Sequence, residues 1–264
     1  MIQAFNTLRI SASGLSAERL SMDTIASNMA NAETVGYKRE VVNFQDLVYE
    51  TLDRNGYPVN DEGENTINGT GVRTTNWLRD TLQGSLKETG LKGNMAIDGE
   101  GFFRVTLQNG IQGYERAGDF NVDSNGELVD PDGNSLEVNL TGEGTNLRNS
   151  GVLLNNDNFT VDKKGQIYVN VNNNSVLYGK INVYNAVGQD SMLSIGDNLY
   201  VPAENVQVTE NQDADILQGY LEQSNVDLGR EITDMILAQR AFALGAKGLT
   251  TADEMWGLIN NMKR

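Results

Sequence analysis

Side chains able to carry out enzyme chemistry are scarce in this sequence. The 264-residue chain contains no cysteine and no histidine. That composition excludes disulfides, thiolate nucleophiles and Cys-ligated metal, and it removes the commonest general base and transition-metal ligand. Carboxylate pairs such as Glu62 and Glu64 are spaced for acid–base work, but they lie in a polar, loop-like stretch. We therefore interpret them as solvated side chains, predict no catalytic residue and no enzyme, and note that carboxylate or lysine chemistry stays formally open.

Two other patterns are similar to ligand-binding loops. Gly99-Glu-Gly101 and Gly142-Glu-Gly144 have the glycines of a phosphate loop, but no Gly-Lys-Ser/Thr follows, so both are predicted to be turns. A cluster of polar residues is similar to the start of a calcium loop but lacks the bidentate Glu at the twelfth position. An ordinary turn is the preferred interpretation and a weak metal site the alternative for Asp123, Asn125, Asp130 and Asp132. No cofactor and no resident metal are predicted.

The charge is concentrated in the middle of the chain. Residues 40–225 carry a net charge of −17, whereas residues 1–39 carry +1 and residues 226–264 carry none. Like ends can therefore pack together without repulsion, while the middle repels copies of itself. Phosphate backbones need Lys and Arg, so a body this acidic argues against nucleic acid as a partner.

A seven-residue apolar period at both ends sets the elements that frame this acidic middle. Such a period winds an apolar seam around a helix, which then requires a partner helix. We predict helices over residues 2–31 and 225–261. Their seam residues are Met1, Leu8, Leu15, Met22 and Met29 at one end, and Leu228, Met235, Phe242, Leu249 and Trp256 at the other.

The positions expected beside the C-terminal seam are mostly polar. They are Ile232, Gln239, Ala246, Asp253 and Asn260. A monomeric core would not readily bury such side chains, whereas a multi-helix assembly with wet contacts can, and polar seam positions fix register. The seams therefore predict assembly between copies; the alternative is two helices packed on one globular core.

The centre of the chain is predicted to be β. Phe102–Leu107 leads into Asn109-Gly110, a strong hairpin signal. Residues 120–128 and 159–167 repeat a strand, an Asp-x-x-Gly turn and a return strand. Further strands are expected at 176–184 and 198–202, which suits an antiparallel sandwich or small barrel.

The predicted fold class is α+β, with long N- and C-terminal helices forming a coiled-coil-like pair around a central, antiparallel, mostly-β domain. The predicted domains are a terminal helical assembly domain over 1–36 and 225–264, a transition segment over 37–75 and a β domain over 76–224. Within the transition, Val41–Phe44 is expected to be extended, Phe44–Tyr49 to add a short helical turn, and 55–72 to be a surface loop.

Four motifs in order along the whole chain resemble the bacterial flagellar rod and hook protein family. Ser27–Arg39, with Asn28, Asn31, Gly36 and Tyr37, resembles the signature that closes the family's N-terminal helix. Leu91–Val105, with Gly99, Gly101 and Phe102, is similar to the segment that opens its β domain. Asn225 in Ser224–Asp227 resembles the lead into the C-terminal helix, and Gln239 and Arg240 in Met235–Phe242 resemble that helix. The branch it most resembles is the distal rod.

The resemblance implies a structural subunit of the flagellar rod that assembles helically with itself into a drive shaft carrying torque from motor to hook. Implied partners are other axial proteins of rod and hook, the flagellar type III export apparatus and the surrounding bushing rings. The implied location is the basal body, outside the cytoplasmic membrane, reached without a cleaved signal. Residues 1–9 indeed lack the basic leader and apolar stretch of a secretion signal. Gly36 is expected to act as a hinge, since glycine adopts dihedrals that other residues avoid.

Two alternatives remain at this stage. One is a hook subunit of the same family. The other is a secreted β-domain binding module with a helical stalk, which an exposed aromatic platform would favour. The candidate aromatics are more simply interpreted as strand residues; they are Tyr114, Tyr168, Tyr178, Tyr184 and Tyr200.

Overall fold

A computed structural model of the chain describes residues 2–47, 50–51, 67–68, 71–171, 174–186, 191–196, 198–204 and 206–262. These residues form three helices, α1 (Ile2–Ala30), α2 (Gly142–Asn149) and α3 (Leu228–Met262). The strands before α2 are β1 (Glu40–Asp46), β2 (Glu50–Thr51), β3 (Ile67–Asn68), β4 (Val72–Arg79), β5 (Leu86–Glu88), β6 (Met95–Asp98), β7 (Phe102–Thr106), β8 (Gln112–Glu115), β9 (Asn121–Val122), β10 (Leu128–Val129), β11 (Ser135–Leu136) and β12 (Asn139–Leu140). Those after α2 are β13 (Phe159–Val161), β14 (Gln166–Val171), β15 (Asn174–Lys180), β16 (Val183–Ala186), β17 (Met192–Gly196), β18 (Leu199–Pro202), β19 (Val208–Asn211), β20 (Asp215–Gln218) and β21 (Tyr220–Glu222). The fold class is α+β, as predicted.

The chain forms two compact units. Unit 1 contains Met1–Ala30, Glu40–Leu78 and Asp227–Arg264, and unit 2 contains Asn31–Arg39 and Arg79–Val226. In unit 1 the helices α1 and α3 pack on one another, and α1 also contacts β1. Ala17, Ile25, Ala238 and Ala252 are the buried apolar residues of this helix pair.

Unit 2 is a set of antiparallel sheets around one main core. The largest sheet runs β17-β18-β8-β7-β11-β10-β9, with β16 added between β7 and β19. A second sheet runs β12-β15-β14-β13, and the pairs β5–β21 and β6–β20 complete the unit. Alternate residues of these strands point inward, and Phe103, Phe120 and Phe159 are fully buried in the core. Tyr114, Tyr184 and Tyr200 form a smaller cluster of their own.

Two turn predictions are confirmed. β7 and β8 pair as a hairpin, and Gly110 at its tip has φ +81°. In both copies of the repeat, an Asp side chain accepts a backbone hydrogen bond inside the turn and the following Gly is left-handed: Asp123 with Gly126 at φ +74°, and Asp162 with Gly165 at φ +75°. The repeat thus builds β9–β10 and β13–β14 in the same way.

Four predictions about local structure are wrong in detail. Gly142–Gly144 does not form an isolated loop turn but the start of helix α2, where Thr141 caps the helix by accepting a hydrogen bond from the Gly144 N–H. Phe44 belongs to β1, so the predicted helical turn at 44–49 does not form there; Tyr49 and most of the predicted loop at 55–72 lie outside the described residues. The strand expected at 176–184 is split between β15 and β16. Helix α1 ends at Ala30, one residue short of the predicted end at residue 31.

No described helix combines the length and apolar character needed to cross a bilayer. Among the described residues, no group of three or more Asp or Glu side chains is arranged to hold a metal ion.

Candidate functional site

Most of the predicted seam residues of unit 1 are half-buried, and α1 and α3 pack on one another. Half-buried positions on α1 are Leu8, Leu15, Met22 and Met29, and those on α3 are Met235, Phe242, Leu249 and Trp256. The Leu15 side chain lies against Gly245, where an added Cβ would stand 3.1 Å from Leu15 Cδ2. The structure therefore places Leu15 of the seam in contact with α3, whereas Leu228 at the start of α3 is exposed and Met1 lies outside the described residues.

The second line of contact on α3 consists of small residues, not the polar ones expected. Ala238, Gly245 and Ala252 follow the seam residues Met235, Phe242 and Leu249 by three positions and face α1. The expected companions Ile232, Gln239 and Asp253 are exposed, and Ala246 is only half-buried. The expected companions lie one residue further along the helix than the small residues, about 100° round its axis. A seven-residue spacing alone does not say which flank of the seam is covered. Small side chains let the two backbones come close, which accounts for Gly245 within a helix.

A second apolar face of α3 is uncovered. It covers about half of the helix circumference, on the side away from the small residues. Its members are 45% to 68% exposed: Leu228, Ile232, Ile236, Leu237, Leu244, Met255 and Leu258. A helix that is apolar on two faces usually has neighbours on both. Within the described chain only the face toward α1 is covered.

Asn28 is the polar anchor of unit 1. Its side chain is 1% exposed and bonds Glu40 of β1 twice, by donating to the Glu40 carbonyl (2.8 Å) and accepting from the Glu40 N–H (2.9 Å). Asn28 Nδ2 also donates to the carboxylate of Glu231, a fully buried residue in the first turn of α3 (3.2 Å). One amide thus joins the last turn of α1, the first residue of β1 and the start of α3.

Unit 2 contains a buried group of three charges, here called the ionic clamp: Lys38, Arg116 and Glu222. Lys38 Nζ lies 2.7 Å from Glu222 Oε1, and Arg116 Nε lies 2.5 Å from Glu222 Oε2. All three side chains are at least nine-tenths buried. Gly84 N–H also donates to Glu222 Oε1 (2.8 Å), and Lys38 donates to the Leu82 carbonyl (2.8 Å). Each carboxylate oxygen therefore has its own cation.

Arg116 connects the clamp to the glycine-rich motif. Its guanidinium donates to the carbonyls of Gly99 (2.6 Å), Gly101 and Ile97. Gly99 and Gly101 are left-handed, at φ +119° and +137°, which shapes the turn between β6 and β7. A planar fork of donors suits several acceptors at once, a geometry that lysine cannot provide.

Burial and charge act against each other in the clamp. Burial lowers the pKa of Lys38, the positive charge of Arg116 lowers it further, and the contact with Glu222 only partly restores it. For Glu222, burial alone would raise the pKa, but the charges of Arg116 and Lys38 and the hydrogen bonds outweigh that and hold the pKa below its usual range. The carboxylate is therefore ionised at neutral pH, and the clamp is a true ion cluster.

Three segments cross beside the clamp, here called the crossing: residues 31–39, 79–84 and 222–226. Gly36 N–H donates to the Glu222 carbonyl (2.8 Å), and Asn225 N–H donates to the Tyr37 carbonyl (3.4 Å). The Asn225 side chain accepts from Arg39 N–H (2.7 Å) and donates to the carbonyls of Asp80 and Leu82. Asn225 thus bonds all three segments.

Gly36 is fixed by its surroundings within the crossing. Its φ is +69°, the left-handed conformation expected from the sequence, and a Cβ at this position would lie 2.6 Å from Ala117 N. Whether it also serves as a hinge remains a prediction.

The other motif residues have separate positions. Asn31 accepts a hydrogen bond from the Thr34 hydroxyl (3.1 Å). Phe102 packs on the Tyr200 ring, with centroids 5.2 Å apart. Gln239 and Arg240 are exposed on α3.

Sequence reasoning missed the ionic clamp as a site. Lys38 stood inside a recognised motif, but Arg116 and Glu222 were not selected. The available signal was one charged residue at an inward position of a short strand, since Glu222 ends β21 with 1% exposure. Such a signal marks a buried charge but not its partners, which lie 106 and 184 residues away.

Comparison with known proteins gives three family matches in chain order. Residues 8–38 match the family described as flagella basal body rod protein. Residues 96–202 match the flagellar hook protein FlgE/F/G D1 domain, and residues 217–262 match the flagellar basal body rod FlgEFG protein C-terminal family. Three similar proteins are each named flagellar basal-body rod protein FlgG. The one from Agrobacterium fabrum is 35% identical over 97% of this chain and 99% of its own length. Those from Borreliella burgdorferi and Bacillus subtilis are 33% and 31% identical, each over 96% of this chain and 97% of their own length.

Proposed function

Because the chain belongs to the flagellar basal-body rod protein family and is a structural subunit of the rod, we propose that its terminal helices join copies of it helically into a shaft that carries torque from motor to hook. Membership in the basal body implies assembly with other flagellar axial proteins. The hook alternative is not favoured, since the similar proteins carry rod names.

The observation that carries the proposal is the uncovered apolar face of α3. Water is a poor solvent for so much adjacent aliphatic surface, and burying one such side chain contributes about 1.5–3 kcal/mol. A neighbouring copy can supply the covering helix without charge repulsion, because residues 226–264 have no net charge. The seam residues then form a coiled-coil-like pair inside each copy, and the second face joins copies. Shearing such a stack exposes apolar surface, which is how it resists twist.

The rival binding-module function lacks the surface it would need. Tyr114, Tyr178, Tyr184 and Tyr200 are buried in strands, and Tyr168 is half-buried in β14. These five residues are strand residues, as expected, and do not form an exposed aromatic platform.

The test replaces an exposed α3 residue with a charge. Leu244 is 68% exposed, so Leu244→Glu should leave the subunit folded while weakening each contact by at least the value of one buried Leu, roughly tenfold or more in the association constant. Leu91→Glu is the matched control, because Leu91 is 62% exposed but lies in unit 2. Sedimentation velocity over a concentration series, with motility of cells carrying each variant, provides the readout.

Normal oligomerisation by the Leu244→Glu protein would contradict the proposal. The seam substitutions Leu15→Asp and Phe242→Asp should also block assembly, while near-UV circular dichroism shows unit 2 still folded. If both seam variants polymerise normally, the seam plays no part.

Further parts of the proposal concern delivery, surroundings and domains. We propose that the type III export apparatus delivers the chain without cleaving its N-terminus, and that the acidic body faces the bushing rings. N-terminal sequencing of protein from purified basal bodies tests the first point, since Met1 or Ile2 must be retained. The domain boundaries proposed from the sequence, 1–36 with 225–264, 37–75 and 76–224, predict that limited proteolysis cuts first within 37–75.

A further inference from the structure

We propose that Glu222 is the positioning residue of the crossing: it selects the single register in which residues 31–39 meet residues 222–226. It thereby sets the spacing of the two segments that continue toward the terminal helices. The inference rests on the proposed function, since uniform spacing matters only if those helices join copies.

The geometry allows one register alone. Glu222 Oε1 binds Lys38 and Gly84, and Oε2 binds Arg116. On either side of Lys38 the backbone is also held by hydrogen bonds, because the Tyr37 carbonyl and the Arg39 N–H both bond Asn225. A shift by one residue would break both of these bonds, because residues 37–39 present a carbonyl, an ammonium and an N–H to fixed partners. Such a shift would take the Lys38 ammonium out of the clamp and leave Glu222 and Arg116 to each other.

The clamp therefore penalises wrong arrangements more than it stabilises the right one. Removing two or three charges from water costs about as much as their attraction returns, so a complete buried cluster adds little net stability. An ammonium held in the buried site without the Glu222 carboxylate is strongly unfavourable, because its charge is left uncompensated. Arg116 has carbonyl partners besides Glu222, whereas the recorded partners of Lys38 are Glu222 and the Leu82 carbonyl. Lys38 is thus the member of the clamp that loses its partners when residues 31–39 are misplaced.

This division of roles can be separated experimentally. In Lys38→Met the ammonium is gone, while Glu222 keeps Arg116 and the Gly84 N–H, so a charge-balanced pair remains buried. The full-length Lys38→Met protein should melt within a few degrees of the wild type by near-UV circular dichroism. Its critical concentration for polymerisation should nevertheless rise roughly tenfold or more, the change expected for ~1.4 kcal/mol per added subunit.

Val169→Ala is the matched control, because Val169 lies in the main core of unit 2, is fully buried and is not part of the crossing. It should lower the melting temperature and leave the critical concentration at 25 °C unchanged. A merely structural role for Glu222 predicts the reverse pattern, in which assembly follows the melting temperature. Wild-type polymerisation by Lys38→Met would overturn the proposal.

Two further variants keep the test decisive. If Lys38→Met does not fold, Glu222→Asp is measured in its place, since it retains the charge but withdraws it by one methylene. We expect the same rise in critical concentration, and a folded Asp variant with wild-type assembly would equally overturn the proposal. Leu244→Glu is measured alongside. If Leu244→Glu polymerises normally, the assembly premise has failed; if it is blocked while the clamp variants assemble normally, only the positioning role has failed.

Discussion

Replacing Glu115 with glutamine should make the stability of unit 2 much less dependent on pH. Glu115 is 3% exposed on β8, in register with Phe103 of β7 and Leu199 of β18, and its Oε1 has no hydrogen-bond partner. Burial, and then the negative charges of Asp130 and Asp132, raise the pKa of Glu115 to about 9 from an ordinary 4.5. A carboxyl in such a site holds its proton at neutral pH.

The sign of the effect follows from proton binding. Between the ordinary pKa and the raised one, the folded chain keeps a proton that the unfolded chain has lost, so the free energy of unfolding falls as pH rises. The fall is about 1.4 kcal/mol per pH unit over that window. From pH 5.5 to 8.5 the wild type should therefore lose about 4 kcal/mol through this one group. Glutamine does not titrate, so the Glu115→Gln protein should lose none of this free energy of unfolding over the same pH range.

Urea unfolding at a series of pH values measures this difference. Seven of the nine tyrosines lie in unit 2 and both tryptophans in unit 1, so the tyrosine band of the near-UV spectrum is the signal to follow for unit 2. The buried glutamine amide shifts the whole curve by a constant, which is why the slope against pH is the readout. Glu100→Gln, at an exposed carboxylate in the same unit, is the control and should run parallel to the wild type. Parallel curves for Glu115→Gln as well would refute the argument that Glu115 is protonated in the fold.

Three further substitutions test individual contacts. Gly36→Val should destabilise unit 2 by at least about 2 kcal/mol, since it places a Cβ at positive φ and against Ala117 N, and thermal melting followed at the tyrosine signal will show it. Gly245→Ile should weaken the α1–α3 pair by about 1–3 kcal/mol, because the larger side chain overpacks against Leu15. Gly245→Ala should be nearly neutral, because the end of the Leu15 side chain can move aside. Melts followed by Trp fluorescence distinguish the two variants, and an equal loss of stability in both would contradict the packing explanation. Asn28→Ala should cost about 2–3 kcal/mol in the same melts, because it removes the amide's hydrogen bonds to Glu40 on β1 and to the fully buried Glu231 on α3; an unchanged melt would mean that other groups replace the amide.

Local signals in the sequence predicted local structure well. The terminal helices follow from a period that needs only neighbours in the chain. The Asn109-Gly110 hairpin and the two Asp-x-x-Gly turns follow from backbone requirements that a few residues satisfy by themselves. Helix α2 was not predicted, because its eight residues contain two glycines, which disfavour a helix, and because the helix cap at Thr141 was not taken into account. Contacts with a distant part of the chain favour the helix here, since the Thr141 N–H and hydroxyl also donate hydrogen bonds to the Tyr178 carbonyl of β15.

The candidate site was only half accessible from the sequence. The motif residues Gly36, Tyr37 and Asn225 were selected, and the structure joins them at one crossing. Lys38, Arg116 and Glu222 form their cluster from distant parts of the chain, and nothing in local spacing pairs one buried charge with another. The flank of α3 that faces α1 was misjudged for a related reason. A period gives the seam, but the partner decides which neighbouring positions are covered.

The distance along the chain between Lys38 and Glu222 has a consequence for the order of folding. The contact closes a loop of 184 residues, and for a flexible chain the length-dependent entropy cost is about 4–5 kcal/mol. Hairpins such as β7–β8 close at far lower cost and should form first. Pairing of β5 with β21 places Glu222 opposite Leu86 and shortens the remaining loop to Lys38. Clamp closure is thus expected among the last steps, and a chain lacking its final fifty residues would stop short of it.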